Sequence, residues 1–150
     1  MMPSDGGLKL SARSGDSRTG RLAKKTFTVW FVLMSVEFVH GTLRTIFLLP
    51  RIGDFSSRQV GAFTGSLLIF FFAYLFAPWF GPLSTRALLA IGATWLVLTV
   101  LFELSLALFV LDFPPERLFQ DFNVARGALF PFALLFLFFC PLLVARLRGL

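Results

Sequence analysis

Long runs of apolar residues alternate with short polar segments along this chain. Each run has roughly 20 residues or more, enough for a helix to cross the ~30 Å hydrocarbon core of a bilayer. Gly and Pro stand between the runs, as is typical of helix ends and turns. The pattern predicts four membrane-spanning helices, at about residues 26–49, 60–80, 87–111 and 124–145.

The segment ahead of the first apolar run has a different composition. Residues 1–25 are rich in Ser, Gly and basic residues, with only scattered apolar positions. Such a segment buries too little apolar surface to offset the entropy lost on ordering. We therefore expect a disordered basic cytoplasmic tail over 1–25 and a four-helix transmembrane domain over 26–150.

Composition supports a membrane protein. Hydrophobic residues make up 57% of the chain and charged residues 15%, whereas soluble domains have about 45–50% and about 25%. Too few polar residues remain to cover a large soluble core. The single cysteine, Cys140, cannot form an internal disulfide and is interpreted as a small hydrophobic residue of the fourth span.

The basic residues that give the net charge of +6 are distributed unevenly. With both termini on one side of the membrane, that side has Lys9, Arg13, Arg18, Arg21, Lys24, Lys25, Arg86, Arg146 and Arg148, and the other has Arg51, Arg58, Arg117 and Arg126. The positive-inside rule then places both termini in the cytoplasm. We expect a multi-pass protein of a bacterial-type inner membrane, with the lipid bilayer and not nucleic acid as the partner of its charges.

A polar stripe runs along the first predicted helix. Glu37, His40, Gly41 and Arg44 are spaced so that they share one helix face. A carboxylate near the bilayer centre costs about 2.5–3.5 kcal/mol, so this face should contact protein and not lipid. Depths counted from the predicted helix ends bring Glu103 of the third helix near Arg44, which predicts an ion pair. Glu37 would then contact His40 or be protonated.

Two interpretations of the cluster Glu37, His40, Arg44 and Glu103 stay open. The side chains could pass protons or bind a cation or polar substrate, or they could fix the helix register through paired charges. His40 is the only histidine, and a polar core residue is favoured over a haem or pigment ligand. No metal-ligand spacing and no catalytic motif occurs, so neither a metal, a cofactor nor a catalytic residue is predicted.

Small residues indicate helix packing. Gly61 and Gly65 are four apart in the second predicted helix, and Gly41 lies in the first. Such spacing lets helices approach closely, either within the chain or between copies. An offset of 66 pairs Glu37 with Glu103 and Gly61 with Gly127, so duplication into two parallel helical hairpins is an alternative to chance.

The segments opposite the termini have charges of both signs, which are interpreted as solvated pairs: Asp54, Arg58, Asp121 and Arg126. Pro114 and Pro115 predict a short interfacial helix in the second of these segments. No nucleophile motif or glycine-rich phosphate loop is present, so an enzyme is not expected. If there were one, the mouth between Arg44, Asp54 and Arg126 would handle a lipid or phosphate head group.

One block of sequence resembles a group of known proteins. The stretches Glu37–Thr45, Pro50–Asp54 and Arg58–Gln59, with Phe102–Glu103 and Glu116–Leu118 later in the chain, resemble those of small four-span bacterial-type membrane proteins of uncharacterised activity. The resemblance covers most of residues 27–148. It implies a four-helix membrane fold and assigns no activity to any residue.

Two functions follow as hypotheses. Short loops and few polar residues favour an accessory or scaffold subunit of a larger membrane complex. The alternative is a small transporter or proton- or ion-conducting protein, a homo-oligomer with Glu37 and His40 facing its pathway. A single bundle this rich in Phe has little room for an aqueous pore.

Overall fold

Four long helices form the part of the chain that the structure describes. The structure, a computed structural model, describes residues 6–110, 116 and 122–150, and their side chains from residue 17 onward except at 110. The helices are α1 (Gly6–Leu43), α2 (Asp54–Phe80), α3 (Thr85–Ser105) and α4 (Phe130–Arg148). The segments long and apolar enough to cross a membrane are Ser17–Ile52, Asp54–Phe80, Thr85–Phe109 and Phe130–Arg148. The predicted fold class, an all-α four-helix transmembrane bundle, is confirmed.

α1 begins far earlier than predicted. A disordered tail was expected over residues 1–25, whereas the structure has a helix from Gly6 onward; whether the tail is disordered stays a prediction. Once a helix is nucleated by packing in the bundle, each added residue costs little. No proline interrupts the chain between Pro3 and Pro50, and the helix extends back from its packed part.

The bundle has two halves, which we name by what lies at each end. The terminal half is nearer the chain termini and the α2–α3 turn at Gly81, and the loop half is nearer Gly53 and residues 122–129. In the loop half, α1 continues through a π-helical segment (Arg44–Leu48) and a further turn (Leu49–Ile52). α3 continues through a second π-helical segment (Leu106–Val110). That both termini face the cytoplasm stays a prediction.

Two helix starts differ from the predicted ones. α2 begins at Asp54, directly after Gly53 with its φ of 80°, whereas the span was predicted from about residue 60 and the helix start near Ser57. The fourth span was expected from about residue 124, but α4 begins at Phe130. Asn123 accepts from the Arg126 backbone N–H and caps a single 3-10 turn before the helix.

The core of the bundle lies in the terminal half. Buried side chains from all four helices meet there, including Trp30, Leu33, Ala73, Trp95, Leu137, Cys140 and Val144. Two indole hydrogen bonds join α1 to α3 across it. Trp30 Nε1 donates to Thr99 Oγ1 at 3.1 Å, and Trp95 Nε1 donates to the Thr26 carbonyl at 3.0 Å. Buried indole N–H groups thus have partners without water.

α3 and α4 approach closely at Gly92. A Cβ atom on this glycine would lie 1.9 Å from the Phe138 carbonyl oxygen. Any side chain at residue 92 would therefore force the two backbones apart. Glycine permits this contact because it presents no side chain to the neighbouring helix.

The register of α1 against α3 bears on the predicted duplication. Trp30 lies level with Thr99, and Thr26 with Trp95, so level residues are 69 apart and not 66. Gly61 lies inside α2, whereas Gly127 ends a 3-10 turn with a φ of 84°. The residue matches that suggested a duplication therefore do not occupy equivalent positions.

Candidate functional site

A cavity of about 660 Å³ occupies the loop half of the bundle. Its lining includes Glu37, His40, Arg44 and Glu103, which are the four residues of the predicted polar cluster. The first three lie on one stripe of α1 and its π-helical continuation, and Glu103 comes from α3. The structure thus brings the predicted residues to the wall of one cavity.

The floor of this cavity separates it from the packed core. One buried side chain from each helix contributes to it: Met34, Ile69, Thr99 and Leu137. Thr99 Oγ1, which accepts from Trp30, also donates to Met34 Sδ at 3.6 Å. The floor is therefore tied directly to the hydrogen-bonded core below it.

Two glycines of α2 make room for the charged side chains of α1. A Cβ on Gly65 would lie 2.7 Å from Glu37 Oε2, and a Cβ on Gly61 would lie 2.5 Å from Arg44 Cδ. Each charged side chain therefore lies directly over a glycine. The small-residue pair provides space for side chains at this contact, within the chain.

Glu37, His40 and Thr64 form a chain of hydrogen bonds. Thr64 Oγ1 lies 2.8 Å from the Val60 carbonyl oxygen, to which it can donate, and 2.8 Å from His40 Nε2, an arrangement that favours the tautomer with its proton on Nε2. His40 Nδ1 lies 3.3 Å from Glu37 Oε2. With Nε2 protonated, one further proton belongs to the Glu37–His40 pair.

That shared proton gives the pair two forms. On Glu37 it makes a neutral hydrogen-bonded pair, and on His40 it makes an ion pair, with no change in total charge. The second carboxyl oxygen, Glu37 Oε1, is buried and has no hydrogen-bond partner among the described residues. The pair therefore presents an exchangeable proton and an acceptor at the cavity wall.

Arg44 has a different partner from the predicted one. Its Nη1 donates to Oγ of the buried Ser57 at 3.0 Å. With Trp30 level with Thr99, Arg44 is ten residues farther along the bundle than Glu103, a distance of ~15 Å. The expected ion pair is therefore wrong. The prediction counted the depths of Arg44 and Glu103 in the membrane from the ends of their own helices. It failed because the ends of α1 and α3 are not level.

The cavity also reaches the side of the bundle. Phe38 on α1 and Glu103 on α3 line it, and both are exposed on the bundle surface. Glu103 has polar interactions of its own.

Gly41 was predicted to pack against another helix. The structure places no atom within 4 Å of a Cβ at this position, although Gly41 lines the cavity. Gly41 therefore makes no close helix contact among the described residues, and its role in packing stays a prediction. The absent side chain leaves open volume between Glu37 and Arg44 instead.

The predicted loop residues have separate positions. Asp54 and Arg58 form an ion pair of 3.1 Å at the start of α2, and both line the cavity mouth. Arg126 is exposed and does not line the cavity. Gln59 donates to the Gly127 carbonyl and so joins α2 to the turn that contains Arg126. Asp121 and the predicted helix after Pro115 lie outside the described residues.

Several important residues escaped sequence analysis. Ser57, Thr64 and Thr99 are single hydroxyl residues whose partners are set by tertiary contacts, so no local signal marks them. Gly92 stands alone, without the spacing of four that drew notice to Gly61 and Gly65. Within the described residues, no group of three or more His, Cys, Asp or Glu side chains could hold a metal ion.

Comparison of the chain with protein-family models, curated proteins and solved structures finds no match. The resemblance to small four-span membrane proteins therefore stays a prediction. Functional inference rests on the cavity and its residues.

Proposed function

We propose that this chain is an integral membrane protein that binds an amphipathic small molecule in the loop-half cavity. The observation that carries the proposal is the pairing of an apolar wall with a few converging polar groups in about 660 Å³. Ligand sites have this character and volumes of about 300–1,000 Å³. A purely structural cluster would not require an open volume beside Gly41.

The position of the cavity supports a ligand that comes from the membrane. Its floor is closed by one buried residue from each helix, and its lining includes Phe38 and Glu103, both exposed on the bundle surface, between which we place a side gap. An amphipathic molecule can enter such a gap from the lipid phase. We place the protein in a bacterial-type inner membrane with both termini in the cytoplasm, which puts the loop half on the opposite side.

Filling the cavity tests the proposal. Because no neighbouring helix lies within 4 Å of a Cβ at Gly41 and Gly41 lines the cavity, we expect the ring of Gly41→Phe to occupy the open volume. Val39→Phe is the matched control, on an exposed position of α1 that does not line the cavity. The probes are a photoactivatable long-chain fatty acid and the alcohol of the same chain length, offered to the protein in nanodiscs.

We expect cross-links at residues of the cavity wall, for one probe or both. Gly41→Phe should abolish them, and Val39→Phe should leave them unchanged. Cross-links spread evenly over the lipid-facing surface, and insensitive to Gly41→Phe, would contradict the proposal.

Proton-linked transport is a second candidate, favoured by the Glu37–His40 pair at the cavity wall. Transport predicts a proton flux in liposomes that disappears in Glu37→Gln while folding and insertion persist. An unchanged flux in that variant would count against it. Membership of a larger complex or a homo-oligomer stays a prediction, tested by purification in mild detergent at native abundance with mass spectrometry of any partner.

A further inference from the structure

Arg44 is a charged residue of the cavity wall with unused hydrogen-bonding capacity. A guanidinium has five N–H donors, and Ser57 Oγ accepts from Nη1. Among the ion pairs of the described residues, none includes Arg44. A cation within a membrane span is costly unless it is paired or reaches a polar region, so this position calls for an anionic partner.

The surrounding structure holds the Arg44 side chain in place. Its stem lies over Gly61, where a Cβ would be 2.5 Å from Cδ, and Ser57 is buried beneath Nη1. Both contacts come from α2. A guanidinium fixed in this way can present its remaining donors to the cavity as a planar fork, the geometry that suits carboxylate and phosphate oxygens.

The other charged groups around the cavity are engaged elsewhere. Asp54 is paired with Arg58, and Glu37 with His40. Glu103 has its own polar interactions and lies ~15 Å from Arg44 along the bundle axis. The acidic groups of the wall therefore do not take the place of an anion at Arg44.

We infer that the ligand is an anionic amphiphile whose carboxylate or phosphate head group binds Arg44. This inference rests on the proposed ligand-binding function. The head group lies near the mouth of the cavity, and the hydrocarbon chain lies against the apolar wall formed by Phe102, Phe130 and Leu134. The side opening lets the chain enter from lipid while the head group stays at the level of Arg44.

Four probes separate head-group chemistry from chain chemistry: a long-chain fatty acid, the monoalkyl phosphate, the alcohol of the same length, and inorganic phosphate. Each competes with the photoactivatable fatty acid for the full-length protein in nanodiscs. We expect the acid and the alkyl phosphate to compete about tenfold or more better than the alcohol, since a charge-assisted hydrogen bond is lost with the alcohol. Inorganic phosphate should compete poorly.

Arg44→Gln should remove the preference for the acid over the alcohol, and Arg44→Lys should retain part of it because the charge remains but the fork is lost. Arg51→Gln is the matched control, because Arg51 is exposed, donates to the Phe47 carbonyl and does not line the cavity. It should keep the full preference. The preference in the unaltered protein is itself a test that does not depend on any variant folding.

The outcomes distinguish this inference from the proposed function. Equal competition by the acid and the alcohol, blocked by Gly41→Phe, would overturn the anionic head group and leave the binding function intact. Competition by inorganic phosphate as strong as by alkyl phosphate would overturn the amphiphile and indicate a soluble anion. Absence of any cavity-specific cross-link would overturn both.

Discussion

The two halves of this bundle are built from the same four helices but use small residues in different ways. In the terminal half, Gly92 brings the backbones of α3 and α4 into contact. In the loop half, Gly61 and Gly65 receive the side chains of Arg44 and Glu37. One half therefore closes around a core, and the other keeps a cavity of about 660 Å³.

Polar groups also differ between the halves. The indole and hydroxyl groups of Trp30 and Thr99 pair with each other across the core. The charged groups of α1 instead line open volume, and Glu37 Oε1 has no hydrogen-bond partner in the part of the chain that the structure describes. The helices are therefore held together in the terminal half, which leaves the loop half available for a ligand.

The largest effect is expected where the backbones meet. Gly92→Leu should lower the free energy of unfolding by about 3 kcal/mol or more, because a Cβ there would lie 1.9 Å from the Phe138 carbonyl oxygen and the helices must separate. Denaturant unfolding in detergent, followed by tryptophan fluorescence, measures the change.

Ala90→Leu on the exposed side of α3 is the control for this change. It should alter stability by less than about 0.5 kcal/mol. Equal losses in the two variants would mean that the close approach at Gly92 contributes nothing particular to the terminal half.

A smaller effect is expected from one indole hydrogen bond. Trp30→Phe keeps an aromatic ring but removes the N–H that donates to Thr99. We expect a loss of about 1 kcal/mol beyond that of the same change at Trp79, whose side chain is half-exposed. The same unfolding measurement applies, and losses of equal size at both positions would argue against a structural role for the hydrogen bond.

The smallest effect on stability is expected for Thr64→Val, below about 0.5 kcal/mol. The change removes the oxygen that accepts from His40 Nε2. Because His40 is the only histidine, the ¹⁵N NMR signals of its ring can be assigned directly. They should show the proton on Nε2 in the unaltered protein and a mixture of the two tautomers in the variant. Thr94→Val, on an exposed part of α3, should leave these signals unchanged.

Much of the fold is predictable from the apolar pattern, because the length and hydropathy of each helix are local properties. The stripe of Glu37, His40 and Arg44 is also predictable, since helical spacing places them on one face. The start of α4 was predicted too early. Gly127 has a left-handed conformation that ends the 3-10 turn, and Pro131 lies in the first turn of α4, so the helix begins at Phe130. Hydropathy alone does not show where this helix begins.

The contacts that a side chain makes across the bundle could not be predicted from the sequence. The Arg44–Glu103 pair was wrong because relative helix register depends on tertiary contacts such as Trp30 with Thr99. Gly41 and Gly92 look alike in sequence, yet one borders open space and the other a carbonyl oxygen. Only the positions of neighbouring helices separate these two roles.

The most direct test of the account is thiol labelling of three single-cysteine proteins, delipidated and in detergent, with a water-soluble maleimide. Cys140 of the native chain reports on the packed core, while Gly41→Cys and Val39→Cys, each with Cys140→Ala, report on the cavity and the lipid-facing side. Gly41→Cys alone should be labelled rapidly, and added fatty acid should lower its labelling rate. Labelling of Gly41→Cys as slow as that of Val39→Cys, or of Cys140 as fast as that of Gly41→Cys, would contradict a cavity confined to the loop half.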